Sequence, residues 1–139
     1  MTQDKAITLT RVSKSFRTEG GSNRVLRDVS LRVPAACLYG LIGPGAAGKS
    51  VLLKLLCGLL RPDAGSIVVD SDEITTMSET ALGDYRRKIG MLFQNNALFD
   101  HLSVADNIAF PLRRLTTLSE PEIAERVSER LACVSLAGF

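Results

Sequence analysis

A chain of 139 residues, 45% hydrophobic and 23% charged, has the size and composition of one soluble domain with a buried core. Its net charge of +2 is too small to indicate nucleic acid or an anionic membrane surface as a partner. The longest apolar run, Val51 to Leu60, falls far short of the ~20 residues that a membrane span needs.

The chain begins with two segments in which apolar and polar residues alternate. Ile7 and Leu9 alternate with polar residues, and the residues from Val29 to Val33 do the same. We therefore predict two half-buried strands separated by a turn at Gly20 to Asn23. They would form an antiparallel edge ahead of Cys37 to Ile42, a short apolar run that predicts a buried strand.

A glycine-rich segment follows that run and matches the phosphate-loop pattern. It consists of Gly43, Pro44, Gly45, Ala46, Ala47, Gly48, Lys49 and Ser50. A strand, a glycine-rich turn and a helix N-terminus together make an anion site, because backbone N–H groups and the helix dipole converge on phosphate oxygens. Lys49 would reach the β- and γ-phosphates, and the Ser50 hydroxyl would complete a Mg²⁺ shell. The sequence therefore predicts nucleotide binding.

The segments after the loop alternate between helix and strand. We predict a core helix from Lys49 to about Leu59, stopped by Gly58, and a short strand from Ser66 to Asp70. A helix from Ser78 to Arg87 and a central parallel strand at Ile89 to Phe93 would follow.

From Ser103 onward the pattern is helical. Ser103 can cap a helix from Val104 to Phe110, with Pro111 disturbing its end. A second helix begins at Ser119, with Pro121 near its first position. Its predicted apolar face is formed by Ile123, Val127, Leu131 and Val134. Strands early and helices late predict an α/β core with a helical addition.

Two classes of phosphate-loop protein are disfavoured. No aspartate is followed three residues later by glycine, and Asn-Lys-x-Asp is absent, which argues against a GTPase. A small-molecule kinase usually carries its loop behind a single strand, whereas about forty residues precede Gly43 here.

The chain resembles the ATP-binding subunit of ABC transporters over nearly its whole length. The resemblance rests on the loop with Val12 to Phe16 before it, and Pro62 to Asp70 and Phe93-Gln94 after it. It implies an ABC-type ATPase core with a RecA-like, P-loop NTPase fold in residues 1–99, and the start of a helical subdomain in 100–139. It also implies that Phe16 stacks on adenine, that Gly43 to Val51 contact the nucleotide, and that Gln94 reaches Mg²⁺ or the attacking water.

A narrower resemblance points to the ATPases of Mla/Mce-type lipid transport systems. It rests on Lys49 to Lys54, Gly90 to Gln94, Ala97 to Asp100, Val104 and Asn107 to Leu112. It implies phospholipid or other hydrophobic cargo. The implied partners are a transmembrane permease, a second ATPase subunit and a Mce-type lipid-binding protein.

Some positions depart from the ABC pattern. Ala46 stands where glycine is usual, so a left-handed conformation there would cost about 1–2 kcal/mol. The alternative is that Gly45 absorbs the distortion instead. Val51 replaces the second hydroxyl that usually follows the loop. The chain ends at Phe139, before the signature, the Asp-Glu pair and the switch histidine of the family, and neither Asp70 nor Asp100 is followed by glutamate. We therefore expect a C-terminally incomplete, hydrolysis-deficient ATPase.

The cysteines and the N-terminal segment indicate where the protein is located. Cys37, Cys57 and Cys133 lie in apolar surroundings, and Met1 to Lys5 lacks a signal pattern, so we expect buried, reduced thiols in the cytoplasm. The resemblance implies a peripheral position on the inner face of the cell membrane. The alternatives are a fragment of a non-transport ABC ATPase and a non-catalytic nucleotide-binding or dimerisation module.

Overall fold

The computed structural model describes residues 7–95 and 97–138; the signal prediction for Met1 to Lys5 lies outside them. The chain divides into two compact units, one ending at Met91 and one beginning at Leu92. The elements of the first are β1 (Ile7–Thr18), β2 (Gly21–Val33), α1 (Lys49–Leu56), β3 (Ala64–Val69), β4 (Asp72–Glu73) and α2 (Glu79–Arg86). Those of the second are α3 (Val104–Leu115) and α4 (Glu120–Cys133).

The first unit is built on an antiparallel sheet with strand order β2-β1-β3-β4. The long β1–β2 hairpin confirms the predicted antiparallel edge. On β1, Leu9 and Val12 point into the core, with exposures of 2% and 0%. The register shifts between Leu9 and Val12 and again beyond Val12, so the hairpin is bulged where strict alternation fails.

Helices α1 and α2 pack with the sheet through one apolar cluster. Leu52 and Leu55 of α1 join residues of the strands and of α2 in that cluster, which contains Leu9, Val12, Leu26, Ile67, Ile74, Leu82 and Tyr85. Leu53 is half exposed, so α1 is amphipathic and not buried on nearly all sides as predicted. It ends at Leu56 with Cys57 as its C-cap, followed by Gly58 with φ 64°, which confirms the glycine stop signal.

Two predicted strands are wrong. Neither Cys37 to Ile42 nor Ile89 to Phe93 forms a strand, and Leu38, Ile42 and Leu92 are almost fully exposed. A central parallel strand needs hydrogen-bonded neighbours along its edges. Among the described residues, the sheet pairs β1 to β4 only, so these apolar runs have no strand beside them.

The second unit is a helical hairpin. Ala109 of α3 packs with three buried residues of α4, namely Ile123, Val127 and Leu131, which confirms most of the predicted apolar face. Val134 lies beyond α4 and is 64% exposed, so its assignment to that face is wrong.

The helix starts of the second unit were predicted correctly, but one end was not. Ser103 Oγ accepts a hydrogen bond from the Asp106 N–H (3.0 Å), and Ser119 forms a capping box with Glu122. Pro111 lies inside α3, which continues to Leu115. The predicted end at Phe110 is therefore wrong, because a proline removes one hydrogen bond without stopping this helix.

The cysteine prediction is also wrong in part. Cys37 and Cys133 are exposed and only Cys57 is partly buried, although all three are free thiols. Burial raises the pKa of the Cys57 thiol. In the described part of the chain, no helix is both long enough and apolar enough to traverse a bilayer.

Candidate functional site: an anion-binding loop at a helix N-terminus

The loop from Gly43 to Gly48 leads directly into the N-terminus of α1. Its residues up to Ala47 are exposed, and the first helical hydrogen bond runs from the Leu52 N–H to the Gly48 carbonyl oxygen (2.9 Å). No side chain caps this end, and the first turn contains no acidic residue. The N–H groups of the first turn are thus left for an external acceptor, which the helix dipole favours as an anion.

Gly48 is the position where the loop touches the sheet. It is buried, with φ 86°. A Cβ atom there would lie 2.8 Å from Leu26 Cδ2 and 3.0 Å from Val25 Cγ1. Only glycine combines this conformation with this close approach to β2, so Gly48 fixes the start of α1 against the hairpin.

Ala46 has a left-handed conformation, with φ 60°, whereas Gly45 is not among the residues with positive φ. The sequence had left both positions open for the distortion. An alanine in this region costs about 1–2 kcal/mol, because its Cβ approaches the carbonyl oxygen. The loop therefore makes its turn at the expense of local strain at Ala46.

Lys49 folds back over the loop. Its ammonium group donates hydrogen bonds to the carbonyl oxygens of Gly43 (2.8 Å) and Pro44 (2.6 Å). The side chain is thereby held at the mouth of the loop. An anion bound there would lie within reach of one positive charge.

Ser50 and Val51 occupy the first turn of α1. Ser50 is exposed and Val51 is partly buried beside the core. No cluster of three or more His, Cys, Asp or Glu residues suited to a metal occurs within residues 7–95 and 97–138. The exposed Ser50 hydroxyl is an oxygen ligand of the kind that Mg²⁺ prefers.

Phe16 lies near the end of β1, opposite Asn23 of β2. Its side chain is only partly buried, and the Lys14 ammonium lies 5.6 Å from the ring centroid. Lys14 in turn forms a 2.7 Å ion pair with Asp63. Sequence reasoning missed both charged residues. The spacing of Lys14 and Phe16 could have suggested their contact, since residues two apart share a strand face.

Gln94 belongs to the second unit, in an exposed turn after the extended segment that carries Phe93. The turn is followed by a loop that Asn107 fastens to α3. The Asn107 side chain accepts the Phe99 N–H (2.8 Å) and donates to the Phe99, Leu102 and Ser103 carbonyl oxygens. This clamp was also missed.

The C-terminal end of α1 is held by α2. The Tyr85 hydroxyl donates to the Leu56 carbonyl oxygen (2.6 Å), and Arg86 donates to the Gly58 carbonyl oxygen (2.6 Å). Burial, with a smaller contribution from nearby acidic groups, raises the pKa of Tyr85 to about 12. Both ends of the helix that presents Lys49 and Ser50 are thus fixed by tertiary contacts.

The chain was compared with known protein families, and one family model covers the loop and the helix that follows it. The family model described as "ABC transporter" matches residues 26–139. The chain belongs to the ABC transporter family. The resemblance that the sequence suggested is therefore confirmed.

Individual relatives carry different names. The chain is 45% identical over 133 residues to the probable ribonucleotide transport ATP-binding protein mkl of Mycobacterium bovis, covering 96% of this chain and 36% of that protein. It is 44% identical over 130 residues to the methionine import ATP-binding protein MetN 2 of Bacillus cereus, covering 94% and 38%. The chain thus spans little more than a third of the length of these relatives.

The fold has solved counterparts. The structure matches MJ0796, a bacterial ABC transporter cassette, with a TM-score of 0.80 and 25% identity, over 95% of this chain and 58% of that one. A post-hydrolysis dimer of the same cassette, bound to ADP and Pi, matches with the same TM-score at 24% identity. The α/β, P-loop NTPase fold class is therefore confirmed.

Proposed function

We propose that this chain binds Mg-ATP through the loop from Gly43 to Ser50 and is the nucleotide-binding part of an ABC transporter ATPase. The observation that carries the proposal is the uncapped N-terminus of α1, which is fixed by Gly48 and has the Lys49 ammonium beside it. Neutral N–H donors and one lysine in this arrangement suit an anion such as the phosphate groups of a nucleotide.

Each site residue has a role in the proposal. The backbone N–H groups of the loop and Val51 surround the phosphates, and Lys49 neutralises their charge. Mg²⁺ would neutralise charge on the phosphates when bound, and the Ser50 hydroxyl would be one of its oxygen ligands. The family resemblance assigns the same kind of role to Gln94. Phe16 stacks on adenine with the ring face that Lys14 does not cover.

The partners follow from the same proposal. A transmembrane permease would receive the motion of the ATPase through the segment around Gln94. A second ATPase subunit would complete the assembly, on the cytoplasmic face of the membrane. The dimeric cassettes among the structural counterparts support the second partner.

The proposed cargo is a phospholipid or another hydrophobic molecule, delivered with the help of a Mce-type lipid-binding protein. Its support is the resemblance of Gly90 to Gln94 and of Asn107 to Leu112 to lipid-transport ATPases. The relatives above are named for ribonucleotide and methionine transport. The test is to purify the chain from native membranes together with its integral membrane partner. Phospholipid carried by that complex supports the cargo, and an amino acid or nucleotide carried instead contradicts it.

Nucleotide binding is tested by thermal unfolding with and without Mg-ATP. At a nucleotide concentration about 100-fold above Kd, binding adds about 2.7 kcal/mol to the free energy of unfolding. Lys49→Ala should abolish this gain. Lys54→Ala, which removes an exposed lysine from the same helix, should retain it. An equal gain in both variants would refute the site.

A further inference from the structure

We propose that the Lys14–Asp63 ion pair positions the Phe16 ring for the adenine base, so that it contributes to affinity for the base and not for the phosphates. The inference rests on the proposed nucleotide-binding function. Neither charged residue belongs to the phosphate loop, and Lys14 and Asp63 are 49 residues apart in the chain.

Asp63 anchors three consecutive residues of β1. Its N–H donates to the Ser13 carbonyl oxygen (2.9 Å), and its carboxylate accepts the Ser15 N–H (2.6 Å) and the Lys14 ammonium (2.7 Å). The β1–β3 pairing reaches Ala64 opposite Ser13, and the Asp63 carboxylate, by accepting the Ser15 N–H, continues the ladder by one more hydrogen bond. The hydrogen bond from Lys14, followed by that from the Ser15 N–H, lowers the pKa of the Asp63 carboxyl group.

This anchor lies where the hairpin is least regular. The β1–β2 register shifts between Val12 and Lys14, and again between Lys14 and Ser15. A shift of one residue turns a side chain to the opposite face of a sheet. Beyond the shifts the pairing runs regularly from Ser15 to Thr18. The two side-chain bonds to Asp63 therefore hold the boundary between the irregular and the regular part of the hairpin, next to Phe16.

Lys14 connects the Asp63 carboxylate to the Phe16 ring. Its side chain is only 17% exposed, although lysine is usually a solvated residue. Its ammonium group lies between the Asp63 carboxylate and the Phe16 ring, 5.6 Å from the ring centroid. That distance lies within the ~6 Å range of a cation–π contact. A fixed cation on one face of the ring holds its orientation and leaves the other face for a base.

The test compares two ligands that differ by the base. Calorimetry measures the Kd of Mg-ATP and of Mg-tripolyphosphate for the unchanged chain, Lys14→Met and Asp63→Asn. Both variants should weaken Mg-ATP about three- to tenfold, the scale of one lost cation–π contact or ordered ring. The Kd of Mg-tripolyphosphate should change less than about twofold.

Three further variants separate positioning from a general structural effect. Lys14→Arg retains the pair and the ring contact, so it should restore Mg-ATP affinity. Arg17→Met removes an exposed positive charge three residues further along β1 and should leave both affinities unchanged. In a Phe16→Leu background, Lys14→Met should have no additional effect, because the residue through which it acts is absent.

The outcomes distinguish this inference from the function beneath it. If neither ligand binds the unchanged chain, the proposed function fails and the inference fails with it. If Mg-ATP binds but the Lys14 and Asp63 variants weaken both ligands equally, leave both unchanged or strengthen Mg-ATP, only the positioning role is overturned.

Discussion

The ammonium group of Lys49 lies 2.6 Å from the carbonyl oxygen of Pro44 and donates a hydrogen bond to it. A second bond, to the Gly43 carbonyl oxygen, makes the lysine a bridge across the loop. Among the described residues, the backbone–backbone hydrogen bond within this turn, from the Ala47 N–H to the Pro44 carbonyl oxygen, is long at 3.4 Å. The lysine is therefore a main restraint on the loop before any anion arrives.

We expect Lys49→Ala to loosen the loop in the absence of nucleotide. The two charge-assisted hydrogen bonds are lost, so hydrogen exchange of the Ala47 and Gly48 amides should accelerate severalfold. Lys54→Ala is the matched control, because it removes a lysine from α1 without touching the loop. Equal exchange rates in the two variants would show that Lys49 does not restrain the backbone.

Ala46→Gly should stabilise the chain. Glycine adopts the φ of 60° found at this position without a Cβ clash, and the gain is partly offset by the greater freedom of the unfolded chain. We expect a net increase of about 0.5–1 kcal/mol in the free energy of unfolding, measured in urea.

The control for this change is Ala47→Gly. Ala47 is not among the residues with positive φ, so the substitution should destabilise by about 0.4–1 kcal/mol through the unfolded state alone. A loss of stability in both variants would mean that the left-handed turn at Ala46 stores no strain.

Tyr85→Phe tests how α2 holds the end of α1. Removal of the hydroxyl leaves the Leu56 carbonyl oxygen without its described partner and should cost about 1 kcal/mol at neutral pH. The pKa of Tyr85 is raised from 10.0 to about 12, so its contribution is fully present below pH 10 and is lost as the pH rises toward 12. The stability difference between the wild type and Tyr85→Phe should therefore shrink across that window. A difference that is constant from pH 9 to pH 12 would contradict this assignment.

Asn107→Ala should free the loop that precedes α3. The Phe99 N–H has the Asn107 side chain as its acceptor, so its protection from hydrogen exchange should fall at least about tenfold, the equivalent of one lost hydrogen bond. Asn95→Ala, in the exposed turn beside Gln94, serves as the control and should leave the Phe99 amide protected. Unchanged protection in Asn107→Ala would show that other contacts hold the loop.

Features encoded by nearby residues were predictable from the sequence. The cap at Ser103, the helix start at Ser119 and the stop at Gly58 depend on groups within a few residues, and the structure has all three. The phosphate-loop pattern likewise placed Gly48 and Lys49 at the start of a helix. The left-handed turn at Ala46 was one of two possibilities in that pattern, the other being a distortion at Gly45.

Features that depend on distant partners were not predictable. The apolar runs at Cys37 to Ile42 and Ile89 to Phe93 suggested central strands, but an apolar run does not specify its hydrogen-bonding neighbours. Asp63 and its partner Lys14 are 49 residues apart in the chain, so a local sequence pattern cannot predict their contact. Phe16 was found by resemblance, whereas the charged pair that holds it required the structure.

The most direct test of the account is a calorimetric titration of the folded chain with Mg-ATP, with Lys49→Ala measured in parallel. We expect saturable heat with one nucleotide per chain for the unchanged protein and little or none for the variant, since the helix N-terminus, the loop and Lys49 form one site. Heat that is absent from the unchanged chain, or identical in the two proteins, would contradict the claim that this loop binds a nucleotide.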